Sequence, residues 1–153
     1  MSEAQRTPPE IPARSWITPL GPCTRFSLRG GPDAIAAASR AFGVDLPTSA
    51  CRAASSGDRA ALWLGPDEYL LIAPAAEAVA VRTALDAALS GIPHSLVDIS
   101  HRQTAFVLQG PNATWLLNSG CPLDLDESAF PVGMCTRTVY MKSEVVLWRT
   151  AED

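Results

Sequence analysis

The 153-residue sequence predicts an α+β fold, and three observations support this prediction. Short apolar runs rich in β-branched and aromatic residues alternate with longer segments whose apolar residues recur at helical spacing. The elements follow in the order β-α-β-β-α-β-β-α-β-β, so that β-α-β-β pieces repeat with similar connections. This repetition predicts a ferredoxin-like α+β arrangement. An apolar fraction of 47% is enough for a sizeable core.

Residues 1–22 predict an extended, proline-rich arm ahead of a single α+β domain at residues 23–153. Five prolines in this segment oppose regular secondary structure. On one interpretation the arm is free and disordered. On the other it wraps a partner subunit through Trp16 and Ile17, because exposed aromatic side chains are typical interface anchors.

The first half of the domain contains a strand, a helix, a hairpin and a second helix. Phe26 and Leu28 fall on one face of the alternating strand, and the helix that follows ends at Gly43. The turn Gly65-Pro66-Asp67 is a strong hairpin signal. The strand covers residues 24–29, the first helix ends at 42, a loop covers 45–59, the hairpin strands cover 60–64 and 68–73, and the longest helix runs from 74 to about 90.

The second half contains two strands around a polar turn, then a helix and a final hairpin. Gly110-Pro111 ends the second of these strands and opens the helix, and Gly120 stops it. A polar, acidic connection then leads to the hairpin, whose strands alternate in polarity. The strands cover residues 96–99, 105–108, 135–141 and 144–150, and the polar turn covers 100–103.

Composition excludes several classes of function. A net charge of -4 gives no basic footprint, which disfavours nucleic-acid binding. No apolar run approaches the ~18–20 residues of a membrane helix, and the first residues lack an apolar signal core, so we expect a cytoplasmic protein. The four cysteines show no metal-ligand spacing and are expected to be buried small hydrophobes in a reducing compartment; they are Cys23, Cys51, Cys121 and Cys135.

Asp98, Ser100 and His101 raise the question of hydrolytic chemistry. A hydrolase is disfavoured because no G-x-S-x-G elbow is present and because adjacent strand residues point to opposite faces. The simplest interpretation is that Asp98, Ser100 and Arg102 satisfy one another and the backbone of the turn. The alternative is that His101 and Arg102 contact a partner or an anionic ligand.

The same stretch carries a family resemblance. Residues 98–102 (Asp-Ile-Ser-His-Arg), 109–113 (Gln-Gly-Pro-Asn-Ala) and 116–117 (Leu-Leu) resemble the D-x-S-H-R … G-P-x-A … L-L signature of the folate-binding aminomethyltransferase fold, the superfamily of the glycine-cleavage T-protein. Within it, the chain is similar to the gamma subunits of heterotetrameric sarcosine oxidases. Two further blocks, at 62–72 and at 130–140 followed by 145–149, support this resemblance, which covers roughly residues 20 to 150. Members of the family pair two ferredoxin-like β-α-β-β units around a mixed sheet, and the resemblance implies the same arrangement for this chain.

The resemblance implies an accessory subunit that binds no cofactor itself. The partners it implies are the large flavin- and folate-binding subunits of sarcosine oxidase. FAD, FMN, NAD and tetrahydrofolate would belong to those larger subunits, and zinc to the smallest. The implied reaction of the complex is oxidative demethylation of sarcosine to glycine, with tetrahydrofolate as one-carbon acceptor and formation of hydrogen peroxide.

Two departures from the family pattern bear on this expectation. The aminomethyltransferases carry an Asn-x-Gly-Gly turn and an Asp-Asp pair where this chain has residues 141–148, in which Glu144 is the only carboxylate. Catalysis therefore does not carry over. Gamma subunits also continue past the final strand with another strand and a helix, which implies either a shortened chain or a sheet edge covered by a partner.

The candidate residues for the partner interface are Trp16, Trp63, Asp67, Glu68, His101, Arg102 and Trp148. We further expect at least one of the four tryptophans, which include Trp115, to lie on the surface of the isolated chain. Two alternatives are a free-standing folate-binding aminomethyltransferase-like protein and an unrelated small interaction module. The first of these predicts an apolar cavity with a convergent carboxylate.

Overall fold

The computed structural model describes residues 16–152. Over this range the chain forms nine strands, three α-helices and one 3-10 turn. In chain order these are β1 (Trp16–Pro19), β2 (Cys23–Gly30), α1 (Pro32–Phe42), β3 (Ala53–Ser56), β4 (Arg59–Gly65), β5 (Glu68–Pro74), the 3-10 turn (Ala75–Glu77), α2 (Ala78–Ala88), β6 (His94–Asp98), β7 (Phe106–Gln109), α3 (Ala113–Asn118), β8 (Cys135–Tyr140) and β9 (Ser143–Trp148).

The first half of the chain forms one five-stranded sheet in the order β3-β4-β5-β2-β6. Helix α1 connects β2 to the β3–β4 hairpin, and α2 connects β5 to β6. The α2 crossover skips one strand, β2, whereas the α1 crossover skips β5 and β4 and enters the sheet at its edge strand β3. Without this extra edge strand, the order β4-β5-β2-β6 is that of the split β-α-β connections of ferredoxin-like folds. The α+β class and the ferredoxin-like topology of this half are therefore confirmed.

The sheet is antiparallel throughout, so the expectation of a mixed sheet is wrong. Every strand pair in the described residues is antiparallel. The reason lies in the crossovers: β5 and β6 run parallel to each other, but β2 lies between them and pairs with both. Parallel strands therefore never become neighbours.

The second half forms two separate two-stranded sheets instead of a second ferredoxin-like sheet. Strand β7 pairs with β1, and β8 pairs with β9. The β8–β9 hairpin packs across β4. Cys135 from β8 is fully buried there, in a cluster with Leu62 and Leu70 of the large sheet. A third cluster of Cys121, Leu125 and Phe130 fills the space beside this hairpin.

The main core lies between the five-stranded sheet and the pair of helices α1 and α2. Phe26 and Leu28 of β2, which the alternating pattern placed on one face, are both fully buried here. Phe42, at the end of α1, joins them. The helix stops at Gly43, whose φ of 76° is readily adopted by glycine, and the Gly43 N–H bonds to the Ser39 carbonyl at 3.0 Å.

Two strands lie where the sequence predicts none. Strand β1 falls inside the proline-rich arm, and the bond from the Leu20 N–H to the Ala105 carbonyl (2.9 Å) extends its pairing with β7. Strand β3 falls inside the predicted loop at 45–59. It is held by β4 and by the Ala53 N–H bond to the Gly133 carbonyl (2.8 Å). Both strands depend on distant partners, which local patterns do not specify. The rest of the predicted arm, residues 1–15, lies outside the described residues.

Candidate functional site

The turn at residues 98–102, which we call the signature turn, begins where β6 ends. The side chain of Asp98 holds it in place. Oδ1 of Asp98 accepts hydrogen bonds from the backbone N–H (2.9 Å) and the hydroxyl (2.6 Å) of Ser100. The Ser100 hydroxyl oxygen accepts a bond from the backbone N–H of Arg25 at 2.9 Å. These contacts form an Asx turn that is tied to strand β2. They also lower the pKa of the Asp98 carboxyl, chiefly because the Ser100 hydroxyl donates to its ionised form.

The side chain of Arg25, from strand β2, also holds the signature turn, and only 5% of its surface is exposed. Its Nη1 donates to the backbone carbonyl oxygens of Gln103 (2.9 Å) and Ser100 (3.4 Å). Among residues 16–152, no carboxylate lies within 4.0 Å of this guanidinium. Backbone carbonyl dipoles therefore compensate the buried charge.

Sequence reasoning did not identify Arg25. It occupies a polar position of an alternating strand, a pattern that predicts an exposed side chain, and no motif marks it. The expectation that the Arg102 side chain takes part in the polar network of the turn is wrong. Arg102 is exposed, and in the described part of the chain it contributes only its backbone N–H, which bonds to the Ile99 carbonyl at 3.0 Å.

The turn holds no hydrolase geometry. The Ser100 hydroxyl donates to Asp98 and accepts from Arg25, while His101 is exposed beside it. A serine nucleophile needs a hydrogen bond to its general base, and within residues 16–152 Ser100 and His101 form none. His101 and Arg102 remain accessible side chains at the surface of the turn.

A cavity of about 450 Å³ lies beside the turn. Its walls come from residues 20–25, the start of α2 and the turn itself, and among the described residues Asp98 is the one carboxylate that lines it. This volume falls in the range of small-ligand sites. The Asp98 carboxylate, however, is already engaged by Ser100. The convergent, uncommitted carboxylate that a free-standing folate-binding protein would need is thus absent from this cavity as the structure describes it.

Glu68 ties the β4–β5 hairpin to the β8–β9 hairpin. Its two carboxylate oxygens accept bonds from Nη2 (2.6 Å) and Nη1 (3.3 Å) of Arg137, and Nε of Arg137 lies 3.6 Å from the Glu144 carboxylate. This two-pronged contact lowers the pKa of Glu68 and raises that of Arg137. Glu68, a candidate interface residue, therefore joins the two hairpins through Arg137.

The neighbouring carboxylate, Asp67, is far more accessible. Nη2 of Arg29 lies 3.0 Å from each of its oxygens, and both side chains are more than half exposed. Exposed ion pairs of this kind contribute little to stability because water and salt screen them. Asp67 is therefore available to a partner.

The four tryptophans divide into two exposed and two packed side chains. Trp16 is 53% exposed and Trp115 is 71% exposed, which confirms the expectation that at least one tryptophan lies at the surface. Trp63 is half-buried and packs against the main core. Trp148 is half-buried and packs in the cluster around Cys135. Trp63 and Trp148, both predicted interface residues, therefore pack in different clusters.

The cysteines are unpaired, and two of them, Cys121 and Cys135, are buried. Burial raises the pKa of the Cys135 thiol to about 11, so this side chain is a neutral packing group at physiological pH. Within the described residues, no three His, Cys, Asp or Glu side chains are grouped so as to hold a metal ion. No helix within residues 16–152 is long and apolar enough to cross a membrane.

Comparison with known families gives the observation that decides the chain's classification. The profile of the sarcosine oxidase, gamma subunit family matches residues 29–153, which is most of the chain. The chain belongs to the sarcosine oxidase gamma subunit family. The turn at 98–102, the Glu68–Arg137 contact and the β8–β9 hairpin all lie inside the matched region.

The chain is similar to several members of this family. Sarcosine oxidase subunit gamma from Arthrobacter sp. is 38% identical over 133 residues, and that from Corynebacterium sp. (strain P-1) is 39% identical over the same length. In both cases the match covers 85% of this chain and 64% of the relative. The chain thus spans a little less than two thirds of the length of these curated relatives.

Solved structures show the same relationship. A chain of the heterotetrameric sarcosine oxidase from Corynebacterium sp. U-96, solved with pyrrole 2-carboxylate, superimposes with a TM-score of 0.83 at 35% identity, covering 90% of this chain and 71% of that one. Aminomethyltransferase T of the glycine cleavage system from Bartonella henselae superimposes with a TM-score of 0.61 at 16% identity, covering 84% of this chain and 37% of that one. The latter match shows a shared fold alone, and it confirms the aminomethyltransferase-like fold class.

Proposed function

We propose that this chain is an accessory gamma subunit of a heterotetrameric sarcosine oxidase and carries no cofactor of its own. The observation that supports this proposal is the match, in both sequence and structure, to a chain of a heterotetrameric sarcosine oxidase. The partners are the large flavin- and folate-binding subunits of the complex. In this proposal those subunits hold FAD, FMN, NAD and tetrahydrofolate, the smallest subunit holds zinc, and the assembly works in the cytoplasm.

The role of the chain is to pack against the larger subunits while they carry out the reaction. That reaction is the oxidative demethylation of sarcosine to glycine, with the one-carbon unit passed to tetrahydrofolate and hydrogen peroxide released. The polar contacts within the chain support an accessory role. Asp98 is engaged by Ser100 and Glu68 by Arg137, so that these carboxylates are used to hold the domain together.

The interface residues follow from their accessibility in the isolated domain. Trp16, Asp67, His101 and Arg102 are exposed side chains that a partner subunit can contact. Trp63, Trp148 and Glu68 act mainly by holding the β4–β5 and β8–β9 hairpins in place. Aromatic and arginine side chains are the most frequent energetic centres of protein interfaces, which favours Trp16 and Arg102 among the accessible four.

Co-expression of the chain with the large flavin-containing subunits, followed by size-exclusion chromatography, tests the proposal. We expect the chain to co-elute with the flavin absorbance. The isolated chain is run in parallel in a thermal-shift assay with tetrahydrofolate, which is expected to leave its melting temperature unchanged. A folate-dependent rise in melting temperature without co-elution would instead indicate a free-standing folate-binding protein.

A further inference from the structure

Several stretches of the chain carry no charge, and two of them contain the strands β1 and β7. Residues 16–24 and 103–123 contain no Asp, Glu, Lys, Arg or His, although 18% of the whole chain is charged. The second stretch begins directly after the signature turn and runs through β7 and α3. Depletion of charge over so many residues is unusual for surface segments, which are normally rich in Lys, Glu and Asp.

The pairing of β1 with β7 brings these two stretches side by side. In the register of this pair, Ile17 lies opposite Leu108 and Pro19 lies opposite Phe106. Directly opposed residues of antiparallel strands share a face, and so do residues two apart along a strand. These four residues, Ile17, Pro19, Phe106 and Leu108, therefore form one wholly apolar surface, which we call the ribbon face.

The ribbon face is exposed in the isolated chain. Ile17 is 67% exposed and Phe106 is 60% exposed, and Leu20, just beyond the pairing, is 50% exposed. A two-stranded sheet normally turns its apolar face toward a core and leaves its polar face to water. Here Ile17 and Phe106 on the apolar face meet solvent, which points to a cover that the described residues do not supply.

Stability considerations favour the same conclusion. Two-stranded sheets are marginal in water unless a further layer buries one face. Within the described residues, β1 and β7 pair only with each other, so both outer edges of the ribbon lack a neighbouring strand. Such an edge with no charged side chains is an aggregation hazard when it is left uncovered. A permanent partner removes that hazard.

We infer that the ribbon face is a further surface, in addition to the accessible residues named above, through which this chain docks onto a larger subunit of the sarcosine oxidase complex. This inference rests on the proposed function. Because the ribbon face has no charge, the surface that covers it must itself be apolar and uncharged, since a charge buried against it would lose its hydration without gaining a partner. The occupant is accordingly an uncharged apolar patch on a large flavin- or folate-binding subunit.

Charge-introducing variants on this face provide the test. Ile17→Glu and Phe106→Glu place a carboxylate on two strands of the same exposed surface. Val79→Glu is the matched control: Val79 is 80% exposed on helix α2 and lies outside both uncharged stretches. Circular dichroism and thermal melts of each isolated variant establish that the exposed substitutions leave the fold intact. Affinity for the purified large subunits is then measured by biolayer interferometry.

Ile17→Glu and Phe106→Glu are expected to weaken binding by about 100-fold each, as for residues at the centre of an interface, while Val79→Glu binds like the wild type. Wild-type affinity in both ribbon variants would overturn the docking surface while leaving the proposed function intact. An equal loss of affinity in Val79→Glu would also overturn the assignment of the docking surface. Failure of the wild-type chain to bind at all would instead refute the proposed function.

A second copy of this chain is the competing occupant, and light scattering after size-exclusion chromatography separates the two. We expect the isolated wild-type chain to be monomeric at micromolar concentration. A wild-type dimer that Phe106→Glu dissociates, with hetero-complex affinity unchanged, would assign the ribbon face to self-association and overturn the inference.

Discussion

Replacing Arg25 with alanine tests how the signature turn is held in place. Arg25 is almost completely buried and reaches from β2 to the carbonyl oxygens of Ser100 and Gln103. The substitution removes both hydrogen bonds donated by Nη1 and the packed part of the side chain. Its backbone N–H remains and still bonds to the Ser100 hydroxyl. The experiment therefore isolates the contribution of the guanidinium and its stem.

The expected loss of unfolding free energy in Arg25→Ala follows from the contacts of the side chain. One bond has good geometry, at 2.9 Å to Gln103, and hydrogen bonds to charged groups contribute roughly 1.5–3 kcal/mol. The 3.4 Å contact to Ser100 adds little. Loss of two buried methylenes costs about 1.6 kcal/mol, and relief of the buried charge offsets part of the total. We expect a net loss of about 2–3 kcal/mol in unfolding free energy, which lowers Tm by roughly 5–10 °C for a chain of this length.

Urea unfolding followed by tryptophan fluorescence measures this loss. Arg29→Ala is the matched control, because Arg29 lies four residues along the same strand but forms an exposed ion pair with Asp67. We expect the control to change the unfolding free energy by less than about 1 kcal/mol. A loss below about 0.5 kcal/mol for Arg25→Ala, or equal losses for the two variants, would refute the assignment of Arg25 as the residue that holds the turn.

Three further predictions concern Ser100, the Glu68–Arg137 contact and Cys135. Ser100→Ala removes the acceptor of the Arg25 N–H, so urea unfolding should show a loss of about 1–2 kcal/mol, and an unchanged midpoint would contradict this. The pKa of Glu68 lies below its ordinary value of 4.5, so its contact with Arg137 stabilises the protein above that pH and is lost as pH falls through the folded-state pKa. Arg137→Met should therefore reduce the acid-induced loss of stability in urea titrations between about pH 3 and pH 6, whereas parallel curves for variant and wild type would show that the contact is not titrating. Because burial raises the pKa of Cys135 to about 11, iodoacetamide at about pH 8 should label this thiol only after denaturation, and rapid labelling of the folded protein, detected by mass spectrometry, would disprove its burial.

Local patterns were sufficient to predict most of the elements. The alternation around Phe26 and Leu28, the stop at Gly43 and the turn at residues 65–67 each depend on residues close together in the chain, and the structure has all three. The final hairpin is likewise confirmed, with β8 and β9 joined by a short turn. Side-chain periodicity and turn chemistry act over a few residues, which is why the sequence alone specifies them.

Strand pairing was much less accessible to sequence reasoning. The small residues of β3 (Ala53–Ser56) carry no strand pattern and form a strand because β4 pairs with them. The prolines around β1 suggested an irregular arm, yet Pro19 sits at the end of a short strand that has an open edge, where its missing N–H is tolerated. Strands β6 and β7, neighbours in sequence, were separated into different sheets.

The sequence by itself determined the α+β class, the family and the position of the signature turn at residues 98–102, because these follow from local order and from motifs. Only the tertiary structure decided which residues hold that turn and which surface is left open. Arg25 and Ser100 lie 75 positions apart, and Ile17 and Leu108 meet only through the pairing of β1 with β7. Contacts of this range depend on how the whole chain packs, and burial of a given side chain is a result of that packing, which no short stretch of sequence encodes.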